Sequence, residues 1–246
     1  MQSSGSRELA RPSATVYDLG MKNMTRLGLL AAASVTACTH APAPAPVATR
    51  ASTPFAAEIS AFEARDRATP PVPGGIVFVG SSTFRFWTSL ATDFPGQNVI
   101  NRGFGGSTLP DVNALVSRIV LPYRPHLVVL YAGDNDLAAG RTPGDVLDDY
   151  RQFVSLVRGG LPTARIAFVS IKPSPSRWAL MGKMRAANQL VRDEIERDSL
   201  ATYVDTFTPM LRTDGRPRPE LFGPDSLHMV RAGYAAWRDI IAPVIH

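Results

Sequence analysis

The chain holds a single cysteine, Cys38, among its 246 residues. No disulfide can close within one copy, and no metal site built from several cysteines is possible. Charge of either sign is also sparse: charged residues make up 19% and their balance is +5. Residues 1 to 37 carry Arg7, Arg11, Lys22 and Arg26 against Glu8 and Asp18, which leaves 22 basic and 19 acidic residues beyond them. No Lys/Arg cluster lies on one expected helix, so no nucleic-acid partner is indicated. The apolar stretch near the start, residues 27 to 35, is too short to span a membrane comfortably. No internal repeat is visible. What is present is a 45% hydrophobic composition, enough to bury the core of one α/β domain rather than two.

The surroundings of Cys38 are informative. "MKNMTRLGLLAAASVTACTH" places Lys22 and Arg26 before an apolar stretch, then small residues running into the cysteine. That is the order of a secretory signal. Val35-Thr36-Ala37-Cys38 resembles a bacterial lipobox, which implies cleavage before Cys38 and lipidation of its thiol. Translation then starts at Met21 or Met24, and residues 1 to 37 form the leader. An ordinary cleaved signal with an incidental cysteine is the alternative. "THAPAPAPVATRASTP" follows. Alternating Ala-Pro forms neither helix nor packed strand, so residues 38 to 54 read as an extended tether between a membrane and a domain over residues 55 to 246. The expected location is the bacterial envelope, lipid-anchored and facing the periplasm.

From residue 55 the pattern becomes regular. "GIVFVG" (75–80), "NVIN" (98–101), "HLVVLYAG" (126–133), "RIAFVSI" (165–171) and "TYVDTF" (202–207) are short, nearly continuous apolar runs. Such runs suit strands buried on both faces of a parallel sheet. Helical patterns separate them: "LPDVNALVSRIV", "TPGDVLDDYRQFVSLV", "MGKMRAANQLVRDEIERDS" and the closing "AGYAAWRDIIAPVI". The alternation predicts a three-layer, doubly wound, flavodoxin-like α/β domain with a five-stranded parallel sheet. Ligands in such sheets bind beyond the carboxyl ends of the strands. Function is therefore expected in "GSSTF", "RGFGGST", "AGDND" and "KPSPSR", and in "LFGPDSLHM" ahead of the last helix.

Of the four histidines, His40 lies in the tether, His246 is terminal and His126 begins an expected buried strand. His228 alone has a carboxylate close by in sequence, Asp225, which can fix the imidazole tautomer and raise its basicity. Asp225 as a plain helix cap is the competing explanation. Ser82 is expected at a strand's end, where backbone N–H groups are free, although a serine there also serves as a cap. The order Ser…Asp…His matches acyl-transfer hydrolases, but Phe84 stands where the nucleophile elbow of α/β-hydrolases needs glycine. "RGFGGST" fails the dinucleotide spacing at Thr108 and lacks the P-loop lysine. Its glycines allow a backbone N–H to approach a ligand closely, or simply make a tight turn. "GDND" lacks the later Gly and Glu of a calcium loop and reads better as a turn that aims an Asn amide at a site. Residues 172 to 184 border that site with Arg177 and Trp178, unless they are a plain connection.

Four short blocks in order, Gly80-Ser81-Ser82, Gly106 in "GFGGS", Gly133-Asp134-Asn135-Asp136 and Asp225-Ser226-Leu227-His228, resemble the SGNH (GDSL-type) hydrolase family over residues 74 to 246. "NRGFGGS" and "AGDND" are closest in flavour to its platelet-activating-factor-acetylhydrolase-like members. The resemblance implies Ser82 as nucleophile, His228 as base and then acid, and Asp225 as its orienter. It implies an oxyanion hole from the N–H groups of Ser82 and Gly106 and the Asn135 side chain. No cofactor or metal is implied, and the substrate is an acyl ester of a small molecule, glycan or lipid. Ser81 departs from the family's Asp. It is expected to turn away from the site and hydrogen-bond to neighbouring loops. An acyltransferase using the same residues is the alternative, as is an envelope-binding module without catalysis.

Overall fold

Each of the five apolar runs forms a strand in the computed structural model, which describes residues 54 to 245. The leader and nearly all of the tether, Cys38 included, lie outside the described residues. The elements run α1 (Ala56–Ala68), β1 (Ile76–Gly80), α2 (Ser82–Arg85), α3 (Leu90–Asp93), β2 (Val99–Gly103), α4 (Leu109–Ile119), β3 (Leu127–Tyr131) and α5 (Asp134–Ala138). They continue α6 (Pro143–Gly160), β4 (Arg165–Val169), α7 (Met181–Ile195), β5 (Ala201–Val204) and α8 (Arg231–Ile241). All strand pairs are parallel and the sheet order is β2-β1-β3-β4-β5. The expected doubly wound, five-stranded sheet is present.

Successive side chains of a strand point to opposite faces, and here both faces are covered. Val77, Val79, Val128, Leu130, Ile166 and Phe168 pack against apolar residues of α1, α4, α6 and α7. Ile76, Phe78, Val129, Tyr131, Ala167 and Val169 pack against Phe84, Trp87, Leu90 and Phe94, and against Tyr234, Trp237 and Ile241 of α8. The second face is rich in aromatics, with the Phe84 and Trp237 rings in contact with each other and each with Trp87 and Tyr131. Capping boxes start two of the helices. Thr108 with Asp111 begins α4 and Thr142 with Asp145 begins α6, each with proline in the first turn.

Two details differ from the sequence reading. Helix α1 was not anticipated: of "AAEISAFEARDRA" only Ile59 and Phe62 are buried, too sparse a stripe to show as a period. His126 lies just ahead of β3 and is exposed, its Nδ1 2.6 Å from the Gly74 carbonyl oxygen. The apolar run behind it begins to be covered only at Leu127.

The order of strands reverses between β1 and β3. A doubly wound sheet opens a crevice at such a point, beyond the carboxyl ends of its strands. "GSSTF", "RGFGGST" and "AGDND" leave from β1, β2 and β3, three adjacent strands, at that edge.

Candidate active site

Strand β1 ends on Gly80, with φ +142°. A Cβ there would fall 1.8 Å from the Tyr131 carbonyl oxygen, so only glycine lets β1 lie this close to β3. The Ser81 N–H then donates to that same carbonyl at 3.0 Å. Ser81 is extended, and its own carbonyl accepts from the N–H groups of Phe84 and Arg85. The chain thus turns directly from strand into α2, with Ser82 first in the turn and half-buried at the surface.

Ser82 Oγ lies 2.9 Å from His228 Nε2, across 146 positions of sequence. His228 Nδ1 lies 2.6 Å from Asp225 Oδ2. The other carboxylate oxygen, Oδ1, accepts the backbone N–H groups of Leu227 (3.0 Å) and His228 (2.9 Å). Those backbone donors, then the imidazole, hold the Asp225 carboxyl down at about 2. An ionised Asp225 keeps the proton on Nδ1 and leaves Nε2 to accept from the Ser82 hydroxyl. The loop that carries the pair is tied at its base. Gly223 N–H donates to the His228 carbonyl, and Ser226, at φ +55°, has its carbonyl accept from the Ser176 N–H. The Phe86 ring packs edge-to-face on the imidazole, centroids 4.7 Å apart.

Gly106 is exposed in the loop after β2, with φ +73°. Among the described residues, neither its N–H nor that of Ser82 has a hydrogen-bond acceptor. Asn135 follows Gly133, whose φ of +112° turns the chain from β3 into α5. Its Nδ2 donates to the Ser107 carbonyl at 2.9 Å, and its Oδ1 accepts from Arg177 Nη2 at 2.8 Å. The side chain of Asn135 therefore ties the loop after β3 to the residue beside Gly106.

Ser82, Asp225 and His228 are thus joined by hydrogen bonds, while Gly106 and Asn135 lie just beyond the ends of β2 and β3, the two strands flanking β1. Arg177, singled out within "KPSPSR", meets Asn135. Trp178 stays 42% exposed, beneath the Arg216 guanidinium. The expectation for Ser81 was wrong in part. It turns inward and is fully buried, but its Oγ has no hydrogen-bond partner among the described residues. A serine hydroxyl ends too close to its own backbone to reach the loops an Asp would reach.

Sequence reasoning missed what lies beneath. Lys172 is fully buried, its Nζ donating to Thr83 Oγ1 (3.1 Å), Tyr131 OH (3.1 Å) and Asp134 Oδ2 (3.2 Å). Burial lowers the Lys172 pKa and raises that of Asp134, but the paired cations outweigh burial at Asp134 and keep it ionised. A lysine inside an otherwise apolar strand end, "VSIK", was the available signal. Phe86 gave none. Clefts of about 410 Å³ (beside Glu58, Arg85 and Asn101) and about 300 Å³ (beside Tyr150 and Arg158) include no member of the Ser82 constellation.

The model of the GDSL-like lipase/acylhydrolase family matches residues 75–236. No curated protein matches the chain significantly. Among solved structures it is similar to a Streptococcus pneumonia protein described as a platelet activating factor, with 18% identity, TM-score 0.69, and 77% of this chain and 92% of that one covered. It is also similar to a GDSL-like lipase of Bacteroides thetaiotaomicron (20%, 0.66, 77% and 97%). A third is the catalytic domain of a Streptococcus pneumoniae peptidoglycan O-acetyltransferase (20%, 0.54, 70% and 92%).

Proposed function

The chain belongs to the GDSL-like lipase/acylhydrolase family, a membership that supports an ester-cleaving activity, and from that premise we propose that it is a serine esterase working through an acyl-enzyme on Ser82. The observation that carries this reading is the relay Ser82–His228–Asp225, at 2.9 and 2.6 Å. In the first step Ser82 Oγ bonds to the ester carbonyl carbon while its proton passes to His228 Nε2. The carbonyl electron pair moves onto oxygen. The free N–H groups of Ser82 and Gly106 and the spare N–H of Asn135 Nδ2 receive that charge. On collapse the C–O bond to the alcohol breaks, and the imidazolium returns the proton to the departing oxygen. Water repeats the sequence on the acyl-serine, delivering the acid and restoring the hydroxyl. Asp225 stays ionised throughout and holds the imidazole.

A fluorophosphonate probe should label the purified protein on the peptide containing Ser82, and Ser82→Ala should lose both labelling and ester hydrolysis. An unlabelled wild type would point instead to a binding module. An acyltransferase differs only in using an alcohol where water attacks, and the likeness in fold to an O-acetyltransferase keeps that acceptor in play. Product analysis with added alcohols separates the two.

The proposed location is the bacterial envelope, held by lipid on Cys38. "VTAC" and the Ala-Pro tether support it. Cys38→Ser should move the protein from the membrane to a soluble envelope fraction. A wild type found wholly in the cytoplasm would end this reading.

A further inference from the structure

Asn135 is an amide whose two ends look alike but act oppositely, since one donates and the other accepts. Only the nitrogen end can stabilise an oxyanion, so its orientation matters. Two neighbours set it. Ser107 offers a carbonyl at 2.9 Å to Nδ2, and Arg177 offers a guanidinium N–H at 2.8 Å to Oδ1. Reversing the amide would set its NH2 against the cation and its oxygen against the carbonyl, losing both bonds at once. Held this way, Nδ2 spends one hydrogen on Ser107 and keeps one to spare.

Arg177 is itself held. Its side chain is 16% exposed, and Nη1 lies 3.0 Å from Asp134 Oδ2 as an ion pair without hydrogen-bond alignment. Asp134 Oδ1 accepts the backbone N–H of Asn135 at 3.0 Å, and Oδ2 takes the buried Lys172 ammonium. Lys172 in turn donates to Thr83, the residue after Ser82. A chain of charged groups therefore runs from beside Ser82 to Asn135. Its last link is a guanidinium, a planar cation that presents a rigid fork of N–H donors.

We propose that Arg177 is the positioning residue for the oxyanion donor: its Nη2 fixes the Asn135 amide with Nδ2 toward the reacting carbonyl and polarises it, so that the spare N–H is a stronger donor when charge develops. A hydrogen bond to a cation at the oxygen end draws electron density from the nitrogen end, and linked hydrogen bonds strengthen one another in this way. The inference rests on the esterase reading of Asn135.

The test is a double-mutant cycle on kcat with a short-chain ester: wild type, Arg177→Ala, Asn135→Ala and the double variant. Arg177→Ala should lower kcat by about 10- to 100-fold with KM changed by no more than about twofold, since the donor acts only on developing charge. In the Asn135→Ala background the same change should cost less than about threefold. An equal loss in both backgrounds, or a raised KM with kcat intact, would overturn the proposal. Arg177→Lys keeps a cation against Asp134 and guards against misfolding. A lysine cannot fork to two partners, so it should recover little of kcat, and full recovery would also overturn the clamp. The arrangement has a readout without turnover. The Asn135 side-chain NH2 resonances, assigned by their loss in Asn135→Ala, should be widely split and slow to exchange in wild type and should shift toward the narrower splitting and faster solvent exchange of a free amide in Arg177→Ala. Resonances unchanged in that variant would refute the clamp. A wild type with the split amide but neither hydrolysis nor labelling would refute the esterase reading instead.

Discussion

Ser81 and Ser82 carry the same hydroxyl, and only their surroundings separate them. Ser82 Oγ meets an imidazole; Ser81 Oγ is buried with no hydrogen-bond partner among the described residues. A buried hydroxyl without a partner contributes no net hydrogen bond and carries the cost of leaving water. Ser81→Ala should therefore leave kcat within a few-fold and keep stability, or raise it by about 1 kcal/mol. A loss of more than about 1 kcal/mol on denaturant unfolding would mean that a partner exists in solution. Ser82→Ala should reduce kcat by at least about 10³-fold. Asp225 does more than orient the imidazole, because its Oδ1 also anchors the backbone of Leu227 and His228. Asp225→Ala should accordingly approach the loss caused by His228→Ala, with only a small change in stability. An Asp225→Ala enzyme within tenfold of wild type would show that the loop holds its shape unaided. No downturn in the activity–pH profile should trace to Asp225 above about pH 3, since its carboxyl titrates near 2.

At the scale of elements, β1 and β3 are joined closely enough that Gly80 admits no side chain. Gly80→Ala would force a methyl group into the Tyr131 carbonyl and should destabilise the fold by about 3 kcal/mol or more, with loss of activity. Near-normal stability by denaturant titration would show that the strand end can relax. Helices α4 and α5 meet through Asp136, whose carboxylate is buried and accepts the Leu109 N–H that starts α4. Burial, only partly offset by that bond, pushes its carboxyl up to about 6. The folded state then retains a proton that the unfolded chain releases near pH 4. Stability from this group is complete below about pH 4 and is lost as pH rises to about 6, by up to about 3 kcal/mol. Asp136→Asn keeps one acceptor for Leu109 and removes that loss. It should stabilise the protein at pH 7.5 relative to wild type but not at pH 4, as read by denaturant midpoints at the two pH values. An equal difference at both would refute an ionisation origin.

Across the whole molecule, the sheet divides two cores of unlike character, and the aromatic one lies under the Ser82 turn. Trp237, wholly buried, touches Phe84, Trp87 and Tyr131. Phe84 sits two residues after Ser82, so packing from α8 supports the turn itself. Trp237→Ala should cost about 3–5 kcal/mol on unfolding and should also lower kcat, since the cavity lies against α2. Lost stability with unchanged kcat below the unfolding transition would show that the turn is rigid without α8.

The strands, the four main helices and the order of the site's blocks were legible because each is written locally. Continuous apolar runs mark strands buried on both faces, 3.6-residue periods mark α4, α6, α7 and α8, and Gly80, Gly133 and the Asp225–His228 spacing mark turns. Helix α1 escaped because two buried side chains in thirteen make no period. The contact of Arg177 with Asn135, the partners of Lys172, Phe86 on the imidazole and the buried Ser81 hydroxyl without a hydrogen-bond partner were not written in any stretch of sequence. Each depends on which loops the strand order β2-β1-β3-β4-β5 brings together, and on how far a side chain reaches once it is there. The sequence by itself determined the sheet, its four main helices and the blocks that gather at one edge of it. Tertiary structure alone made the contacts themselves, Ser82 on the imidazole and Arg177 on the Asn135 amide, because they join positions 42 to 146 residues apart that nothing local relates.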